Sequence, residues 1–484
     1  MRETAVLRVF SLFLLLLSFF MLTPLLFSWY YGEVETFPSF HIPAGINVAV
    51  FGFISLLIRG KKQATLSPRG GFLFVTLAWF GASASGALPF VLSGTIPSYT
   101  DAFFETMSGF TTTGASILTE IQSLPKSILF WRSLTHWLGG MGIVVLVVAI
   151  LPLLRSGGFQ LVKAESPGPS LDKVTPKITS TAKILWFLYL TLSAMETVLL
   201  MIGGMDLFES LTHTFGTMAT GGFSPMNASV GHYPSAFIHI VITVFMMLAG
   251  VNFVLYHKML TGKLREIGRN SELKAYIGIF AASTVIIALD LFRSGEYATF
   301  GTSLRYAGFQ AASILTTTGF ATADFDAWPE LGKIVLFLLM FIGGSTGSTG
   351  GGIKVGRIVT LFKLGINELK HLIYPRGVFN IKVNKMTVKK DIIYVITGFF
   401  FFYILLLIVT TLLVATAGTD IETSFSTALV TLGNIGPGFG RIGPAMNYAF
   451  YPGYVKWFLS FIMALGRLEI YTVLVLLTPR FWKL

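Results

Sequence analysis

Long apolar runs alternate with short polar segments along nearly the whole chain. A membrane-spanning helix needs roughly 20 apolar residues. Ten runs reach or approach that length, at about 9–31, 42–58, 71–93, 131–154, 183–205, 234–257, 275–293, 331–364, 391–417 and 454–478. The first run continues through Trp29, Tyr30 and Tyr31 without a small-residue cleavage site, so we expect a retained helix rather than a signal peptide. The pattern predicts an all-α polytopic membrane protein with ten crossings.

Composition supports a lipid environment. Hydrophobic residues make up 53% of the 484 positions and charged residues only 12%, about half the share usual in soluble proteins. Because so few charged side chains cannot cover the surface of a soluble protein of this size, we expect the chain to be surrounded by a lipid bilayer. The net charge of +12 would suggest nucleic acid in a soluble protein, but a membrane protein needs cytoplasmic positive charge, and we expect no nucleic-acid partner. The absence of cysteine excludes disulfides and thiolate-bound metals.

The distribution of charge predicts the orientation. If the N-terminus is inside and the loops alternate, 27 Lys and Arg residues lie inside and 7 outside, with Arg467 within the last run. The positive-inside rule therefore places both termini in the cytoplasm. The outside segments carry acidic residues that could attract cations as a rim, or could simply be solvated: Asp101, Glu105, Glu120, Asp206, Glu209, Asp324, Asp326, Glu330, Asp420 and Glu422.

Four outside segments resemble one another. Each lies between two apolar runs, is too short to cross, and ends in a glycine-containing tract. They read DAFFETMSGFTTTG to Gly114, FESLTHTFGTMATG to Gly221, YAGFQAASILTTTG to Gly319 and TSFSTALVTLGNIG to Gly436, at separations of 107, 98 and 117 residues. This period suits a unit of helix, re-entrant segment and helix used four times. We expect repeats at 70–155, 183–262, 274–370 and 388–484, after a two-helix extension at 1–69.

The repeated tracts predict a pore. Non-helical backbone at membrane depth is tolerated only beside water or inside protein, so four tracts should meet around one aqueous axis in pseudo-fourfold arrangement. A short helix ending at each tract would aim its negative end at the centre. Rings of backbone carbonyls can then replace the hydration shell of a monovalent cation. The expected filter residues are Thr111, Thr112, Thr113, Gly114, Ala219, Thr220, Gly221, Thr317, Thr318, Gly319, Asn434, Ile435 and Gly436.

The four blocks, the tract GGSTGSTGGGIKVG at 343–356 and GRLEI at 466–470 resemble the Trk/Ktr/HKT superfamily of potassium transporters. Within it, the N-terminal helix pair resembles the bacterial TrkH/TrkG branch of membrane subunits. The resemblance implies potassium uptake across the bacterial inner membrane, with K⁺ as transported ion and no organic cofactor in this chain. It also implies a homodimer and a cytosolic TrkA-like nucleotide-binding regulatory subunit. Some sodium-admitting relatives have serine where this chain has Gly114, which favours potassium.

The tract at 343–352 interrupts the eighth run. Six of its ten residues are glycine, and each costs a helix roughly 1 kcal/mol relative to alanine, so an irregular loop is expected. The resemblance implies that this loop plugs the pore below the filter and moves during gating, and that Arg467 points into the pore. A static packing crossover and an Arg467–Glu196 ion pair are the alternatives. The expected gate residues are Gly343, Gly344, Ser345, Thr346, Gly347, Ser348, Thr349, Gly350, Gly351, Gly352 and Arg467.

Two other functions are alternatives to potassium uptake. Carbonyl rings alone do not reveal selectivity or coupling, so a sodium-permeable or cation-coupled transporter on the same scaffold stays open. A membrane enzyme would need several ionisable residues that converge at one depth, and the candidates identified are only Glu196, Asp290, Arg467 and Glu469. We therefore expect no enzyme. The basic loops at 155–183 and 354–390 offer a cytoplasmic docking face, although positive-inside charge explains them equally well.

Overall fold

The prediction of an all-α protein is confirmed. A computed structural model describes residues 2–60, 66–140, 142, 178–383 and 386–483, and in these ranges the only sheet pairs β1 (Lys382–Val383) with β2 (Met386–Thr387). The predicted fourth crossing at 131–154 and the basic loop at 155–183 lie partly outside the described residues.

The described residues fold mainly into helices. In chain order they are α1 (Arg2–Leu22), α2 (Pro24–Tyr30), α3 (Phe37–Leu57), α4 (Pro68–Gly86), α5 (Leu88–Leu92), α6 (Tyr99–Phe110), α7 (Lys126–Gly140), α8 (Ile178–Ile202), α9 (Leu207–Ala219), α10 (Ala236–Ala249), α11 (Phe253–Leu260), α12 (Leu264–Ile267), α13 (Ser271–Arg293), α14 (Phe300–Leu315), α15 (Glu330–Leu339), α16 (Val355–Ile373), α17 (Lys390–Ala415), α18 (Ile421–Leu432), α19 (Gly453–Arg467), α20 (Tyr471–Leu474) and α21 (Pro479–Trp482).

Several helices are long and apolar enough to cross a membrane. In the described part of the chain, six continuous spans meet this criterion, at Thr4–Tyr30, Val34–Leu57, Pro68–Leu92, Ala182–Ile202, Ser271–Arg293 and Lys390–Ala415. Two further spans are possible if each of two bent helix pairs counts as one crossing. The chain is therefore a multi-pass membrane protein.

The N-terminal extension is attached to the first repeat. The Glu33 carboxylate accepts hydrogen bonds from the backbone N–H of Lys126 (2.6 Å) and of Ser127 (2.9 Å). These N–H groups belong to the first turn of α7, where a helix favours a negative charge. The extension therefore fixes the N-terminal end of α7.

Four short helices occupy the predicted re-entrant positions. These pore helices are α6, α9, α14 and α18, and each packs against the helix before it and the helix after it. Each begins with a side chain that accepts a hydrogen bond from a backbone N–H in the first turn. The capping residues are Ser98, Asp206, Thr299 and Asp420. The polar residue before each block thus sets where its pore helix begins.

The helix after the second, third and fourth pore helices is interrupted. The predicted crossings at 234–257 and 454–478 are wrong as continuous helices, because α10 and α11 meet at 93° and α19 meets the following helical segment at 112°. At the second bend the backbone is left-handed at Glu469 (φ 55°) and Ile470 (φ 62°). Likewise, α15 ends at Leu339, before the glycine-rich tract. These breaks lie beside the sites described next.

Candidate ion-conduction site

The four pore helices end with the same backbone course. One residue in each following tract adopts the left-handed region, at Thr112, Thr220, Thr317 and Asn434, with φ between 53° and 60°. Two residues later a glycine has positive φ, at Gly114 (79°), Gly222 (83°), Gly319 (81°) and Gly436 (95°). The four tracts are therefore structural equivalents.

The second tract corrects the expected register. Gly222, rather than Gly221, has the conformation of Gly114. Gly221 instead matches Thr113: its N–H bonds Gly216 O at 2.8 Å, as the N–H of Thr113 bonds Ser108 O at 2.9 Å. The second sequence block was aligned to end on Gly221, the first of two adjacent glycines. This alignment placed the second tract one residue out of register with the other three. The signal for the correct register was the Gly–Phe pair, present both at 222–223 and at 319–320.

The four tracts form a closed ring. A Cβ atom added to the glycine of one tract would collide with a carbonyl oxygen of the next, so a side chain has no room. The added Cβ and the oxygen would overlap in four pairs: Gly114 with Gly221 O, Gly222 with Thr318 O, Gly319 with Ile435 O, and Gly436 with Thr113 O. Because the sequence of contacts returns to its starting tract, the four tracts lie next to one another in a closed ring.

A polar cavity opens onto the ring. It has a volume of about 150 Å³ and is bordered by all four glycines and by the segments that leave the tracts. Water occupies roughly 30 Å³ per molecule in the liquid, so the cavity is large enough for several waters. A hydrated cation could therefore approach the ring from this side.

Hydroxyl groups brace the tracts. Thr111 Oγ1 lies 2.8 Å from Thr113 Oγ1, and Thr316 Oγ1 lies 2.7 Å from Thr318 Oγ1 in the third repeat. In the fourth repeat, the Asn434 amide donates across to Thr113 Oγ1 (2.9 Å). These side chains hold one tract to itself or to its neighbour, which leaves the backbone carbonyls as the repeated oxygen groups of the ring.

The glycine-rich tract at 343–352 is an irregular loop, as expected, and it lies against the third of the four tracts. The N–H of Gly351 donates to Thr317 Oγ1 (2.6 Å) in the third filter tract. The N–H of Ser345 donates to Gly250 O (2.8 Å), at the bend between α10 and α11. The loop therefore connects the third filter tract with the broken helix of the second repeat.

Arg467, at the end of α19, bonds carbonyl groups of two other elements. Its guanidinium donates to Thr349 O (2.6 Å) in the loop and to Gly139 O (2.7 Å) and Gly140 O (2.9 Å) at the end of α7. The alternative of an Arg467–Glu196 ion pair is not supported, because this pair is not among the ion pairs of the described residues.

Two carboxylates that sequence reasoning did not connect to the gate hold the loop region. Glu272, at the start of α13, accepts from the N–H of Thr346 (2.7 Å) and of Gly356 (2.9 Å). Glu469 forms an ion pair with Arg357 in α16. Glu272 and Gly356 are 84 residues apart in the chain, and Arg357 and Glu469 are 112 residues apart. No local sequence pattern could therefore have revealed these pairs.

The expected acidic rim is only partly present. Glu105 is buried and paired with Arg132 (2.7 Å), so its assignment to a solvated rim was wrong. Asp101 pairs with Lys456 at 2.6 Å. Asp420 is exposed, and the hydrogen bond that it accepts from the Thr423 N–H (2.7 Å) lowers the pKa of its carboxyl group below the usual value.

A closed ring of backbone at the centre of repeated helix, re-entrant segment and helix units defines a polytopic membrane protein of the ion-conducting class. The family model described as TrkH, cation transport protein, matches residues 41–484, and the chain belongs to this family. The expected family relationship and the absence of an enzyme class are thereby confirmed, because the relatives are named as transport proteins.

The similarity to individual relatives extends over the whole chain. The chain is 40% identical over 481 residues to the "Trk system potassium uptake protein TrkH" of Halomonas elongata, covering 99% of each. It is 40% identical over 489 residues to the protein of that name from Salmonella typhimurium, covering 100% of each. It also resembles the crystal structure of the potassium transporter TrkH from Vibrio parahaemolyticus, with a TM-score of 0.89, 37% identity and full coverage of both chains.

Proposed function

We propose that this protein takes up potassium across the bacterial inner membrane through a four-part backbone filter. The observation that carries the proposal is the closed ring in which each filter glycine abuts a carbonyl oxygen of the next tract. Such carbonyl groups can replace the hydration shell of K⁺. The relatives named as potassium uptake proteins support the choice of ion.

The gate in this proposal is the loop at 343–352 together with Arg467. The loop bonds a filter tract through Gly351, and Arg467 bonds the loop through Thr349. A positive charge in a narrow passage of low dielectric also repels cations. Opening therefore requires the loop to leave the filter and Arg467 to release its carbonyl partners.

Regulation in this proposal comes from the cytoplasm. The excess of Lys and Arg in alternate loops supports cytoplasmic termini and a basic inner face, which includes α16. The words "Trk system" in the relatives' names suggest further subunits. We infer a homodimer controlled by a cytosolic, TrkA-like nucleotide-binding subunit that acts on α16 and on the adjacent loop.

Uptake of radiolabelled rubidium into proteoliposomes tests the function. The purified chain is reconstituted with and without its regulatory subunit, and K⁺ or Na⁺ is added as competitor. We expect K⁺ to halve uptake at a concentration at least about tenfold lower than Na⁺, a discrimination of about 1.4 kcal/mol. Protein-free liposomes give the background.

Other outcomes of this assay identify the alternatives. Equal competition by the two ions would indicate a sodium-permeable transporter. Uptake that requires an imposed Na⁺ or H⁺ gradient would indicate coupled transport. No rubidium uptake by folded protein, with or without the subunit, would contradict the proposal.

A further inference from the structure

A buried ion pair lies behind the filter at the junction of the first two repeats. Arg132 Nε, on α7, lies 2.7 Å from Glu105 Oε1, on the pore helix α6, and both side chains are almost inaccessible to solvent. Removing two charges from water is costly, and apolar residues of similar volume often stabilise a protein as well. The pair therefore suggests a role beyond stability.

Glu105 holds the segment that leaves the first filter tract. Its Oε1 accepts from the Ser116 hydroxyl and its Oε2 from the Ile117 N–H, both at 2.9 Å. These residues follow the filter glycine Gly114 by two and three positions. The carboxylate thus fixes where the first tract ends.

Arg132 holds the corresponding segment of the second repeat. It donates to Ser224 O at 3.1 Å, and its guanidinium lies 3.5 Å from the centre of the Phe223 ring. Phe223 directly follows the filter glycine Gly222. Arg132 also borders the cavity at the mouth of the ring. One ion pair therefore spans the contact at which Gly114 meets the carbonyl of Gly221.

The other three repeats have a polar side chain other than a carboxylate at the position that corresponds to Glu105. Each filter glycine is preceded nine residues earlier by Glu105, His213, Gln310 or Thr427. His213 Nε2 lies 2.9 Å from Ser224 Oγ, Gln310 donates to Ala323 O at 3.2 Å, and the Thr427 and Tyr451 hydroxyls lie 2.7 Å apart. Among the described residues, only the first repeat uses an ion pair here to reach a neighbouring repeat.

We propose that Glu105 and Arg132 determine selectivity by fixing the spacing between the first and second filter tracts. The inference rests on the proposed function. Neither residue touches the ion in this scheme; both are positioning residues. If a ring of carbonyls selects a cation by the fit of the ion, its oxygen positions must be held by a rigid surrounding shell. Loosening one junction should therefore admit Na⁺.

The test measures discrimination in the rubidium assay, as the ratio of the Na⁺ to the K⁺ concentration that halves uptake. This ratio does not depend on the amount of folded protein. The double variant Glu105→Gln with Arg132→Gln leaves no unpaired buried charge, and we expect its ratio to fall about fivefold or more. The control, Glu330→Gln with Lys333→Gln, neutralises the solvent-accessible pair on α15 and should leave the ratio unchanged.

Two single variants keep the inference testable if the double variant does not fold. Ser116→Ala removes one hydrogen bond to Glu105 and should lower the ratio about twofold. Arg132→Lys keeps the charge but has one nitrogen instead of a fork, so it should also lower the ratio. A normal ratio in Arg132→Lys would indicate a purely electrostatic role and overturn the inference.

Failure of the inference and failure of the function are distinguishable. An unchanged ratio in every folded variant, with a wild type that prefers K⁺, would overturn only the role of the pair. A wild type without preference for K⁺ would overturn the proposed function itself.

Discussion

The guanidinium of Arg467 donates a 2.6 Å hydrogen bond to the backbone carbonyl of Thr349. This bond attaches the glycine-rich loop to α19. The same guanidinium bonds Gly139 and Gly140 at the end of α7. A single side chain thus connects the fourth repeat, the third and the first beneath the filter. Its removal should act on conduction more than on folding.

We expect Arg467→Ala to raise rubidium flux in the absence of the regulatory subunit about tenfold, which corresponds to a barrier lower by about 1.4 kcal/mol. The variant removes both the tether to Thr349 and the positive charge. Arg467→Lys retains the charge with fewer hydrogen bonds, so an intermediate flux would separate the two effects. Normal expression with unchanged or reduced flux would count against a gating role.

Glu272 should also hold the gate closed. Its carboxylate accepts two backbone hydrogen bonds, from Thr346 and Gly356, and a hydrogen bond to a charged group contributes about 1.5–3 kcal/mol. Glu272→Gln should therefore raise subunit-independent flux while leaving the Na⁺ to K⁺ ratio unchanged. Glu266→Gln, which alters a surface pair with Lys258, is the matched control. If both variants conduct equally, Glu272 does not restrain the loop.

Serine at Gly114 or at Gly222 should weaken discrimination against Na⁺ in the same way. Each glycine has positive φ and lies against a carbonyl oxygen of the next tract, so a side chain must displace that carbonyl. Gly94→Ser is the control, because Gly94 has φ +72° but no atom within 4 Å of an added Cβ. A variant Gly222→Ser that retains full discrimination would argue against the corrected register.

The orientation can be checked without transport measurements. Since 27 Lys and Arg residues fall on the predicted inner side and 7 on the outer, reporter fusions at Met1 and at Leu484 should both report the cytoplasm. One terminus found outside would mean that the number of crossings is odd.

Acid should weaken the start of the fourth pore helix. The hydrogen bond from the Thr423 N–H is the main reason why the pKa of Asp420 is lowered in the folded protein. The charged cap therefore stabilises the fold at pH values above the ordinary carboxyl pKa of about 4. This contribution is lost as the pH falls through the lower pKa of the folded state. Asp420→Asn keeps an acceptor without that titration. The Tm of the wild type should fall more than that of Asp420→Asn between about pH 6 and pH 3; parallel curves would contradict this.

The sequence predicted the pore helices and aligned three of the four tracts on the correct glycine. It could do so because each block combines a capping residue, a short helix and a glycine. It missed the second register, since the adjacent glycines 221 and 222 give two equal alignments until the following phenylalanine is compared. It also missed the bends after α10 and α19, because hydropathy records burial in lipid and not the direction of the helix axis. The Glu105–Arg132 pair was invisible because its members lie on different helices, 27 residues apart.

The contacts from each filter glycine to the next carbonyl also constrain how this chain can diverge. A change in one tract alters the space available to its neighbour, and because the contacts return to their starting point, no tract can adapt alone. Positions such as Gly221 and Ile435, which differ from the threonines at the same place in the other repeats, show where variation is compatible with the ring. The four glycines should therefore resist substitution together, whereas the residues that brace them can differ from one repeat to the next.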